Sequence, residues 1–122
     1  MKTVAKLEEQ LKDNKTLMQR RDVIVRLGKN PDFRTVILDA FFVEECARYA
    51  RESGDPALTA EQRADAIAMA QAAGHLKRFL NVQIAMGNAA EQSVVALEEA
   101  IEEARIEEQN DDNELPVEGE GE

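Results

Sequence analysis

The chain has 122 residues, 43% of them hydrophobic and 33% charged, with a formal net charge of -10, one cysteine and no tryptophan. That length suits one modest core rather than two, and a single Cys46 excludes an intrachain disulfide. The strongest apolar run, Val36 to Val43, is interrupted by Asp39 and falls far short of the roughly 20 residues a membrane-spanning helix needs.

The charge is unevenly placed. Residues 1–27 sum to +3, residues 28–90 to about neutrality, and from Glu91 onward Arg105 stands against thirteen acids. Phosphate backbones would be repelled by that last third, so nucleic acid is not expected as a partner. The charged N-terminus (Met1-Lys2-Thr3) has no apolar stretch of the secretory kind. With the lone thiol this points to the cytoplasm of a host cell, or to a particle assembled there.

A first helix is expected from Thr3 to Leu27. Val4, Leu7, Leu11, Met18 and Val25 form a heptad seam whose gaps hold Asn14 and Arg21. Polar residues at seam positions cost stability but can fix register and partner number. The alternative is a helix that docks through Leu17, Ile24 and Leu27 alone. Gly28-Lys29-Asn30-Pro31 then stops and restarts the chain: Gly28 suits a left-handed C-cap, Asn30 an N-cap, and Pro31 the first helical position.

The second helix is expected over Pro31 to Glu52. Phe33, Val36, Ile37, Leu38, Phe41, Phe42 and Val43 make its first half apolar on nearly every side. Such a helix requires burial all round, which places it at the centre, covered by both neighbours or by a second chain. Ser53-Gly54-Asp55-Pro56 ends it. Thr59-Ala60-Glu61-Gln62 reads as a capping box.

A third helix should run from Ala60 to about Glu108, with a kink at Gly87-Asn88 as an option. Ala73, Leu80, Gly87, Val94 and Ile101 recur every seven residues, and Leu76, Gln83, Ala90, Leu97 and Ala104 follow three later. This is a seam that a coiled coil uses; packing on the first helix of the same chain and self-association both satisfy it. Residues 110–122 combine acids, Gly and Pro and are expected to be a disordered acidic tail. The expected fold is all-α: a helical hairpin plus a long C-terminal helix in one domain, 1–109.

No catalytic or cofactor constellation emerges. His75 has Ala72 where a Glu-x-x-His metal pair needs its glutamate. The pairs Glu44-Glu45, Glu98-Glu99, Glu102-Glu103 and Glu107-Glu108 sit among like charges, as solvated faces do. Cys46 lies beside Glu44 and Glu45, which disfavour a reactive thiolate. Ala66 to Leu80 faintly resembles a helix-turn-helix, but only Gly74 could turn, so a continuous helix is favoured.

The segment Asn30-Pro31-Asp32-Phe33-Arg34-Thr35-Val36-Ile37-Leu38-Asp39-Ala40-Phe41-Phe42-Val43-Glu44-Glu45, with Arg48 following, resembles small helical proteins encoded by tailed bacteriophages. The likeness continues through the Ala/Gln-rich stretch, Leu76-Lys77-Arg78-Phe79-Leu80 and the Glu-rich end. It implies an accessory or virion protein and no catalytic residues.

Three functions are therefore open. A non-enzymatic structural or assembly protein, homo-oligomeric or part of a larger viral particle, would use Phe33, Ile37, Phe41, Phe42, Leu76, Leu80, Leu97 and Ile101 as its core or protein interface. An inhibitor imitating nucleic acid would present Glu98, Glu99, Glu102, Glu103, Glu107 and Glu108 as an acidic arm to a host protein. A DNA-binding packaging accessory would rest on the basic first helix.

Overall fold

The computed structural model describes residues 2–114, with the side chains of residues 3–112. These form three helices, and there is no strand among the described residues. Helix α1 spans Lys2–Lys29. Helix α2 is continuous through three stretches: Pro31–Phe33, a π-helical Arg34–Glu45, and Cys46–Ser53. Helix α3 spans Ala60–Glu114.

The punctuation between helices follows from side-chain chemistry. Pro31 disfavours helical backbone at the residue before it, and Asn30 is extended at φ -70°, ψ 124°. Its side-chain oxygen accepts from the Asp32 and Phe33 amides at 2.9 and 3.0 Å, supplying two of the orphan amide partners that a helix start needs. Gly28 departs from expectation. It lies inside α1, no described glycine has positive φ, and the end of α1 is set by Asn30 being taken for the next cap. The capping box forms as read: the Gln62 amide donates to the Thr59 hydroxyl at 3.1 Å, and the Thr59 amide donates to the Gln62 side-chain oxygen at 2.9 Å.

Helix α3 passes through Gly74, Gly87 and Asn88 without a break in its helical assignment, so the helix-turn-helix likeness has no turn behind it. It also reaches Glu114, past the expected end near Glu108. Nothing between Gln109 and Glu114 is Gly or Pro, and the first residue able to stop a helix is Pro116. The rest of the expected tail, residues 115–122, lies outside the described residues.

The π-helical stretch was not foreseen. In it each amide reaches one residue further back than in an α-helix. The stretch carries Val36, Ile37, Phe41, Phe42 and Val43, an apolar run that would fit an α-helix equally well. The Phe41 and Phe42 rings lie 5.7 Å apart, tilted by 39°.

The chain packs as two compact units. Unit 1 joins Met1–Arg20 to Met86–Glu122. Its interior is Ala90, Val94 and Ile101, each at most 8% exposed, with buried Gly87 beside them. Val4, Leu7, Leu11, Asn14 and Met18 are the half-buried residues that face this interior, together with Leu17. Glu8 and Arg105 pair at 2.7 Å. The helices of this unit must run antiparallel, because only residues beyond Glu8 can cover Val94, Ala90 and Gly87. The α3 seam is therefore filled within the chain here. Asn14 turns its amide to the Gln10 carbonyl of its own helix at 2.8 Å, so it satisfies itself locally instead of fixing a register across the seam.

Unit 2, Arg21–Ala85, holds the end of α1, all of α2, and the first half of α3. Only Ala66 and Ala73 are buried in it. No residue of α2 is buried; Val36 and Val43 are 58% and 62% exposed. The helix expected at the centre is thus only half covered by its own chain.

Candidate interaction surface and apolar cavity

The outward face of α3 in unit 2 is unusual in what it lacks. Between Asp65 and Glu91 the only charged side chains are Lys77 and Arg78, although most residues there are exposed. Met69, Ala72, Leu76, Phe79 and Gln83 follow a 3-4-3-4 spacing along this stretch, which aligns them on one face of a helix. Met69 is 44% exposed and Phe79 51%. Exposed Ile67 and Val82 widen the apolar area.

A second feature is an apolar cavity of about 580 Å³ in unit 2. Ile24 and Leu27 from α1, Phe33, Leu38 and Phe42 from α2, and Leu80 and Ile84 from α3 line it. Its polar side chains are Lys77, Asn81 and Cys46, and no carboxylate lines it. The Cys46 thiol donates to the Ala70 carbonyl at 3.6 Å, tying α2 to α3.

The eight expected interface residues are not brought to one place. Phe33, Phe42 and Leu80 share the cavity, and Phe41 touches Phe42. Ile37 is half-buried on α2, while Leu76 faces outward at 37% exposure. Leu97 and Ile101 lie in unit 1, where Ile101 is buried and Leu97 half-buried. Sequence reasoning missed Met69 and Phe79 as surface residues and Lys77 and Asn81 as cavity residues. The 3-4-3-4 spacing around Leu76 was the available signal for the first pair.

Along the acidic arm Glu98, Glu99, Glu102, Glu103 and Glu107 are exposed and Glu108 is half-buried. The Glu44-Glu45 pair is divided by a cation: Arg48 holds Glu45 at 2.6 Å and Glu52 at 2.7 Å, and its guanidinium lies 4.3 Å from the Tyr49 ring centre. The hydrogen bond from Arg48 lowers the Glu45 carboxyl below its ordinary value, and the same bond raises Arg48. His75 is exposed on α3. Among the described residues no three His, Cys, Asp or Glu side chains approach closely enough to hold a metal ion, and no helix is long and apolar enough to cross a membrane.

No protein-family model, curated protein or solved structure matches the chain.

Proposed function

We propose that this is a non-enzymatic assembly protein of a bacteriophage, one that joins copies of itself, or a larger particle, through unit 2. The observation that carries the reading is the uncharged, outward stripe of Met69, Leu76 and Phe79 on α3. A heptad-spaced stripe is self-complementary, so a second copy of the same helix, paired as in a coiled coil, can cover it. Unit 2 has nine basic and nine acidic side chains, so two copies of it meet without net repulsion. The phage origin is supported by the resemblance carried by residues 30–45.

Magnitudes set the expected strength. Burying the exposed half of each of these three side chains contributes about 1 kcal/mol. Two copies therefore gain roughly 6 kcal/mol from the stripe, near the low end of the cost of association. Pairwise contact is weak, and a multivalent particle strengthens it. Light scattering on the full chain at two concentrations should give a mass that climbs above 13.6 kDa with concentration. The double variant Leu76→Glu, Phe79→Glu should hold the monomer mass throughout. A wild-type chain that stays monomeric at every concentration, and binds no component of a particle, overturns the reading.

A second reading is favoured by one observation: the exposed glutamates of α3 lie in the unit that carries the whole net charge. An inhibitor presenting them to a basic groove would lose affinity steeply with salt. Equal binding to a basic host protein at low and high salt removes that reading.

A further inference from the structure

The apolar cavity of unit 2 is a separate feature from the stripe: Met69, Leu76 and Phe79 do not line it. We propose that it is a binding site for a single-chain amphiphile with a carboxylate head, a fatty acid, whose tail fills the cavity and whose head meets Lys77 and Asn81.

Four observations support this. The volume, about 580 Å³, lies inside the range of roughly 300–1,000 Å³ typical of small-molecule sites. The walls contributed by Ile24, Phe33, Leu38 and Phe42 are apolar, which suits a hydrocarbon tail and offers nothing to a polar ligand. Lys77 and Asn81 stand one helical turn apart on α3, so their side chains share a face. Both are exposed at the mouth, and the cavity has no carboxylate to take the ammonium first. Arg34 adds positive charge nearby, its guanidinium reaching the carbonyl of cavity-lining Gly28 at 3.4 Å. An ammonium and an amide N–H beside an apolar chamber select an anion joined to a tail, and a cationic or neutral head loses that selection.

Gly74 lines the cavity, and a methyl group added at Gly74 meets no atom within 4 Å, so the space beside it can take a larger side chain.

The test uses the full chain titrated by calorimetry with dodecanoate below its micelle concentration, beside dodecan-1-ol and dodecyltrimethylammonium. Dodecanoate should saturate at one per chain. Lys77→Gln should weaken it about tenfold, the loss of one charge-assisted hydrogen bond, while leaving dodecan-1-ol unchanged. Gly74→Leu should abolish binding of all three, with helicity retained by circular dichroism and with the oligomer mass unchanged. The last readout separates this site from the association proposed above. Absence of saturable dodecanoate binding overturns the proposal. So does a Lys77→Gln chain that binds dodecanoate as the wild type does, or tighter binding of the ammonium amphiphile.

Discussion

The two units solve the same problem, a small helical interior, in opposite ways. Unit 1 buries its seam, Val94 and Ile101 included, and its sequence is heavily charged, with sixteen acidic residues against six basic ones. Unit 2 is neutral and buries only alanines. Ten of its large hydrophobic side chains are exposed among the described residues, against three in unit 1. Charge and unsatisfied apolar surface have been separated along one chain. Unit 1 carries charge of one sign in excess, which repels its like, while unit 2 has exposed apolar side chains and no net charge.

Truncation of one side chain in each unit gives the sharpest test of that contrast. Ile101→Ala should cost about 3 kcal/mol in urea unfolding, since it empties a position that is 5% exposed. Phe79→Ser, in the other unit, should stay within about 0.5 kcal/mol in dilute solution, as outward residues do, and show its effect only in mass measurements. Equal costs would erase the distinction.

Smaller effects map the joints of unit 2. Asn30→Ala removes the acceptor of two amides and should cost about 1 kcal/mol. Gly28→Ala should instead stabilise by about 0.5 kcal/mol, because Gly28 is helical with open space where a Cβ would stand. A loss on that substitution would mean that the left-handed cap forms after all. The smallest effect concerns acid. Glu45 is held below its ordinary value of 4.5 by the hydrogen bond from Arg48. Its contribution is therefore complete above that value and is lost as pH falls through the lowered one. Helicity followed by circular dichroism from neutral pH to pH 3 should show that loss, and Glu45→Gln should flatten it.

Much of this architecture can be read from residues alone. Asn30-Pro31 and Thr59 to Gln62 specify their helix starts through side-chain atoms that reach a fixed distance along the chain, so local sequence suffices. The seam through Gly87, Val94 and Ile101 is legible because periodicity marks a shared face. Two things are not legible in this way. α3 carries two overlapping apolar seams in unit 2, one through Ala73 and Leu80 and one through Met69 and Leu76, and periodicity cannot rank which is covered. The widening of α2 has no local signature either, since Val36, Ile37 and Phe41 fit an α-helical pattern equally well. The cavity brings together residues of all three helices, and such a meeting depends on packing at long range.

The π-helical stretch has a mechanical consequence. Because each of its rings encloses one residue more than an α-helical ring, Arg34–Glu45 contains chain that a narrower helix would not need. Tightening it to α geometry would rotate the phenylalanines relative to Asn30 and the Arg48 end. A one-residue deletion there should be absorbed, where the same deletion in α1 would throw every following seam residue off its face. Any change of gauge in the middle helix would therefore turn its aromatic side chains.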